Sequence, residues 1–238
     1  MTDPFRLWSY LAQEPLLWLT VTLMAYVIAD WVSDRLGRHP LANPVLIAIL
    51  IIATVLAVSD TRYETYFEGA QFVHFMLGPA TVAMAVPLYA NLGRVKRVLA
   101  PMAVALVAGS LTAILSALGI AYAFGLRGEA LLSLAPKSAT APVALGVSEA
   151  IGGEPTLTAV LVILTGITGA IVATPLLNAL RIEDWRARGF AVGLAAHGIG
   201  TAHAFRVNST AGAFSGIGMG LNAILTAFLA PLVVTLLL

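Results

Sequence analysis

Lys137 is the residue whose chemistry needs explaining. It stands in "LLSLAPKSATAPVALGV" (131–147), apolar enough for a membrane, between Pro136 and Pro142 and beside Ser138 and Thr140. A cation near the bilayer centre costs about 2.5–3.5 kcal/mol on insertion scales, and it is kept only where water, a partner or a substrate compensates. No acidic residue sits inside the apolar spans to pair with it: Glu149 and Glu154 fall near the outer end of its own segment, and Asp30 near the end of the first span. An unpaired ammonium at a broken-helix tip is a receptor for an anion. The hydroxyls of Ser138 and Thr140, with the free N–H groups of a half-helix start, could ligate a carboxylate. The plainer alternatives are a lysine that snorkels to an interface and hydroxyls that cap freed backbone.

A second polar group lies in "AHGIGTAHA" (196–204), which holds His197, Gly198, Gly200, Thr201 and His203. The two histidines are six apart, so they are not an i, i+4 pair, and no third ligand accompanies them. Neither a metal site nor any other cofactor is expected. Imidazole takes up a proton near neutral pH, which suits proton coupling; the plainer alternative is a hydrogen-bonded packing residue. Thr201 and Asn222 are further polar candidates, and His74 a weaker one. No carboxylate or nucleophile stands beside these groups in a recognisable arrangement, so no enzyme is expected. "GIGMG" (216–220) follows no strand and lacks the Lys-Ser/Thr of a phosphate loop.

Composition says what must position these residues. Of 238 residues, 59% are hydrophobic and 11% charged, against roughly 25% charged in soluble domains. That balance makes an all-α polytopic membrane protein, because no period-2 alternation supports a barrel. A net charge of +1 gives no argument for nucleic acid, and the absence of cysteine excludes disulfides and thiolate sites. No cleaved signal peptide is expected. About six full spans are expected, near 15–33, 43–59, 70–90, 98–124, 157–180 and 213–238. Pro79 and Pro87 mark a broken or kinked helix at 77–89.

Loop charge orients the spans. Arg35 and Arg38, then Arg94, Lys96 and Arg97, then Arg181, Arg186 and Arg188 form three basic loops that belong in the cytoplasm, with the N-terminus outside. Segment 131–152 must then start and end outside. A re-entrant hairpin satisfies this; a single broken helix that the charge rule misjudges is the alternative. "LAPKSATAPVAL" (134–145) is echoed by "LAAHGIGTAHAF" (194–205) at an offset of 60, so Lys137 aligns with His197. Hairpins at 131–155 and 187–210, each followed by a span, make an inverted repeat of the secondary-transporter kind. The expected division is an N-terminal scaffold over 1–125 and a transport unit over 126–238, working as an elevator.

Five stretches carry a family resemblance: "LGPATVAMAVPLY" (77–89), "LAPKSATAPVALGVSEAIGG" (134–153), "TAVLVILTGITGAI" (158–171), "RIEDWRARGFAVGLAAHGIGTAHA" (181–204) and "GAFSGIGMGLNAILTAFLAP" (212–231). Together they resemble the LrgB/CidB family, which includes the C-terminal part of the plastidal glycolate/glycerate translocator. The resemblance implies a multi-pass protein of the bacterial cytoplasmic (inner) membrane. Bacterial members are described as holin- or antiholin-like modulators of murein hydrolase activity, often beside a small LrgA/CidA-type membrane protein. Plastid relatives move glycolate and glycerate, and some bacterial members are linked to pyruvate or glycolate. Lys137 to Thr140 and His197 to Thr201 fall on the family's "PKS" and "HxIGTA" motifs. His203 departs from the pattern, because a permanent Arg or Lys cation usually follows "GTA". The expected function is a secondary transporter of a small carboxylate anion, with a holin-like modulator as the alternative; a homodimer or larger homo-oligomer in the lipid bilayer is the expected assembly.

Overall fold

The computed structural model describes residues 14–38, 42–76 and 98–237, together with Pro79, Tyr89 and Gly93. Among the described residues every regular element is a helix. They are α1 (Pro15–Arg35), α2 (Pro44–Ser59), α3 (Tyr63–Phe75), α4 (Leu99–Ala123), α5 (Gly128–Leu132), α6 (Ala141–Ala150), α7 (Pro155–Ala179), α8 (Trp185–Val207) and α9 (Ser209–Leu237). Four are long and apolar enough to cross a bilayer: α1, α4, α7 and α9. The expected span 43–59 is the shorter apolar helix α2. The expected span 70–90, and with it the broken helix at 77–89 and Pro87, lies mostly outside the described residues.

The chain forms two compact units, Met1–Ala83 and Met84–Leu238. α4 therefore groups with the helices that follow it. In the first unit, α1 packs on α2 and α3 around Trp18, which is fully buried and meets the Tyr66 ring edge-on at 5.9 Å. Asn43 starts α2: its Oδ1 accepts from the N–H groups of Val45 (2.9 Å) and Leu46 (3.3 Å), and Pro44 supplies a preset φ.

The second unit contains two chain reversals. The first runs from α5 through α6. Ser133 Oγ accepts from Glu154 N–H at 2.8 Å, and Thr158 Oγ1 donates to the Ser133 carbonyl at 3.1 Å. The segment thus leaves and returns to one place. Its returning arm α6 has ten residues, about 15 Å of helix and so half of a roughly 30 Å hydrocarbon layer.

The second reversal is inside α8, where Ala196 (φ −126°, ψ 15°) and His197 (φ 40°, ψ −135°) are not helical. Beyond the break the chain folds back: Val192 and Ala204 share one apolar cluster, although a straight helix would hold them roughly 18 Å apart. α9 then runs beside the first arm so closely that a Cβ on Gly189 or Gly193 would strike the backbone of Ala211 or Ser215. Lipid supplies no hydrophobic drive between helices, so such small-residue contacts carry the packing.

The two hairpins enter from opposite ends. α7 starts at the base of the first, and its Leu177 packs near the base of the second with Val192 and Ala211. α9 starts at the base of the second, and its Ala230 and Val233 pack with Leu131, Ala135 and Val147 of the first. α7 and α9 are therefore antiparallel, and "hairpin plus long helix" occurs twice in inverted orientation. α4 lies alongside, with Met102 among Phe190 and Phe214 and with Ile114 in the cluster of the first hairpin.

Candidate functional site

The hairpin tips come together in the middle of the second unit, and Asn222 of α9 joins them. Its Nδ2 donates to the Ser138 carbonyl at 3.0 Å and to the Leu194 carbonyl at 3.1 Å. Its Oδ1 accepts from Ser110 Oγ of α4 at 2.6 Å and from Thr226 Oγ1 at 3.3 Å. Each broken segment strands carbonyls that water cannot reach, and an amide with two donors and an acceptor satisfies one from each tip. Asn222 is 1% exposed and Ser110 also 1%, so this network is sealed from solvent.

Lys137 and Ser138 sit at the first tip. The tip is closed by turns, with Lys137 N–H on the Leu134 carbonyl at 3.3 Å and Ala139 N–H on the Pro136 carbonyl at 2.9 Å. Pro136 is buried; Pro142 is exposed in the first turn of α6, where a missing N–H costs nothing. Lys137 Nζ donates to Ser138 Oγ at 3.4 Å. Among the described residues no carboxylate is within ion-pair distance of it. Thr140 is the N-cap residue of α6 by backbone geometry, with no hydrogen bond from its side chain to the capped turn.

Lys137 and Ser138 line a cavity of about 1050 Å³ that also meets Leu194, Ala195 and Ala196 at the second tip. The cavity follows the first arm of α8 to Asp184 and Arg186, a length of about 17 Å for a helical arm of that size. At that end Asp184 and Arg186 form an exposed ion pair at 2.6 Å. The Arg186 guanidinium, first through its hydrogen bonds, holds the Asp184 carboxyl below its ordinary range. The walls are α4 and one face of α7 and are mostly apolar. Thr165 and Thr168 on that α7 face are exceptions that sequence reasoning passed over, although their i, i+3 spacing was visible in "TGITGA". The Ser110 link to Asn222 spans 112 positions and has no local signature.

The remaining candidates are placed as follows. His197 is 4% exposed at the second tip, and its Nε2 lies 2.8 Å from the Val162 carbonyl of α7. A carbonyl only accepts, so Nε2 carries the proton. Gly166 leaves the room this ring occupies. Thr201 is fully buried; its Oγ1 donates to the His197 carbonyl at 2.7 Å and meets Ser215 Oγ at 2.9 Å, so it braces the returning arm against α9. Gly200 sits where a side chain would strike Ala196, and a Cβ on Gly198 would make only an ordinary contact with Met219 Sδ at 4.0 Å. His203 lies farther down the returning arm, 3.4 Å from Thr174 Oγ1, away from the cavity walls. The structure thus brings Lys137, Ser138, His197 and Asn222 to the tips, leaves Thr140 and Thr201 beside them, and sets His203 apart. Among the described residues no three His, Cys, Asp or Glu side chains converge as a metal site would need.

The model of the LrgB-like family matches residues 22–236 of this sequence. The chain belongs to the LrgB-like family. Its relatives include "Uncharacterized protein YwbG" of Bacillus subtilis, 37% identical over 90% of this chain and 94% of the relative. "Holin-like protein CidB" of Staphylococcus epidermidis is 32% identical over 94% of this chain and 97% of the relative. The Staphylococcus aureus "Holin-like protein CidB" has the same identity and coverage. No solved structure matches this chain. The family expected from the sequence motifs is the family that matches, and its holin-like members agree with a membrane protein of four long apolar helices among the described residues.

Proposed function

We propose that this LrgB-like protein is a secondary transporter of a small monocarboxylate of the glycolate, glycerate or pyruvate class. The observation that carries the reading is the cavity that ends on Lys137, a cation with no carboxylate partner among the described residues, where two hairpin tips meet. Lys137 holds the carboxylate, Ser138 and Thr140 accept and donate around it, and Asn222 keeps the tips in register. By the charge rule the Asp184–Arg186 end faces the cytoplasm, so the cavity is open inward and the N-terminus is outside. Alternating access comes from movement of the two hairpins and the long helices that follow them. His197, with His203 at a distance, is the candidate for coupling to a proton. The reading expects no chemical conversion of the substrate. It expects the bacterial cytoplasmic membrane, a homodimer or larger homo-oligomer, and an LrgA/CidA-type small membrane protein as partner.

Purified protein in liposomes is expected to take up labelled glycolate saturably, and Lys137→Met is expected to abolish uptake while the protein stays folded. Uptake by Lys137→Met at the wild-type rate overturns the assignment of the site.

The name of the staphylococcal relatives favours a second reading, a holin-like modulator of cell lysis with no transport cycle. It expects leak of large solutes that survives Lys137→Met. Saturable flux with counterflow argues against it.

A further inference from the structure

The cavity face of α7 follows helical periodicity from Leu161 to Leu177. Along it only Thr165 and Thr168 are polar. Threonines elsewhere in these helices turn inward on themselves: Thr20, Thr22, Thr54 and Thr235 each donate to the carbonyl four residues back. So does Thr112, which lines the opposite wall on α4. Thr165 and Thr168 make no such bond, and neither hydroxyl has a partner among the described residues. Thr165 is half-buried and Thr168 exposed, and both line the cavity. A free hydroxyl on an otherwise apolar helix face, when its usual backbone bond is unmade, can meet a polar ligand without breaking anything.

Their level along α7 is set by Val162. It packs with Ala139 and Ala144 at the first tip, and its carbonyl meets His197 at the second. Thr165 is about 4.5 Å farther along the helix axis and Thr168 about 9 Å. Both lie toward the open end, because the cavity continues past them to Leu177. An anion on Lys137 and Ser138 would have Thr165 as the next hydroxyl on the way out.

Resting on the transporter reading, we propose that Thr165 and Thr168 bind the 2-hydroxyl or 2-oxo oxygen of a substrate whose carboxylate is on Lys137. They are then the residues that separate 2-hydroxy and 2-oxo acids from plain carboxylates. A site built to hydrogen-bond a substrate oxygen discriminates against the analogue that lacks it.

The test uses the full chain in liposomes, with the KM for labelled glycolate and the inhibition constant of acetate, which differ by one hydroxyl. Thr165→Val and Thr168→Val keep the shape and remove the hydroxyl. Each is expected to raise the glycolate KM about tenfold, the size of one hydrogen bond, and to leave the acetate constant unchanged. Thr165→Ser is expected to restore the wild-type KM. An unchanged glycolate KM, or an equal rise for glycolate and acetate, overturns the assignment. So does wild-type protein that takes glycolate and acetate equally well, a result that needs no variant. Wild-type protein with no saturable carboxylate flux overturns the transporter reading itself.

Discussion

The side-chain amide of Asn222 donates to the carbonyl of Ser138 at 3.0 Å, across 84 positions of sequence. The same nitrogen reaches Leu194, so one residue on an unbroken helix holds the loose ends of two broken ones. A bilayer interior offers no water for stranded carbonyls, and the bond costs little once α9 has placed the amide there.

Replacing that amide is therefore expected to loosen both tips together. Asn222→Ala leaves the Ser138 and Leu194 carbonyls and the Ser110 hydroxyl without their partner, a loss of about 1–3 kcal/mol for each buried group left unpaired. Thermal unfolding in detergent reads the loss. Ser110→Ala made on top of it is expected to add little, because the pair acts as a unit. Strictly additive losses would mean that Ser110 and Asn222 act separately.

His197 holds a backbone conformation that favours glycine, with φ 40°. Such a residue stores about 1–3 kcal/mol of strain. Its ring is anchored to Val162 O, which keeps the break at this residue. Both His197→Gly and His197→Ala lose the anchor, but only glycine relieves the strain. The glycine variant is expected to melt at the higher temperature of the two. An alanine variant of equal or greater stability would remove strain from the account of the second tip.

Glu154 ties the first hairpin to α7. Its carboxylate accepts from Leu157 N–H and from Thr156 N–H, and these bonds, Leu157 first, hold its carboxyl below the ordinary glutamate range. The folded form therefore binds its proton less readily than the unfolded chain. The contribution is fully present above the unfolded value of about 4.3, and it is lost as pH falls through the lower folded value. Melting temperature followed as pH falls from the unfolded value of about 4.3 is expected to fall less steeply in Glu154→Gln than in wild type. Parallel profiles would place the acid sensitivity elsewhere.

Much of this was legible in the sequence, and for a physical reason. Lys137 between Pro136 and Pro142 marks a break in an apolar helix pattern, and the loop arginines pointed to a segment 131–152 that turns back, as the Ser133 contacts with Glu154 and Thr158 do. The offset of 60 between Lys137 and His197 pairs two residues that the fold places at the two chain reversals. Some expectations depended on composition that many arrangements share. His203 looked equivalent to His197, yet only His197 sits at the break, because the chain turns at Ala196 and carries the later histidine down the far arm. Thr201 was a polar candidate with no partner visible in the sequence; the fold sets its hydroxyl against the His197 carbonyl and Ser215.

The sequence by itself determined that the chain is helical, belongs in a membrane and sets a cation between prolines in an apolar stretch, because hydropathy, proline and charge act locally. Only the tertiary structure decided which residues meet that cation. Asn222 reaches Ser138 because α9 runs antiparallel to α7 and brings its middle to both tips; Thr165 faces the cavity because α7 turns that stripe away from His197's partner face. Long-range packing of small residues set those rotations, and such packing leaves no periodic mark that distinguishes one helix face from another.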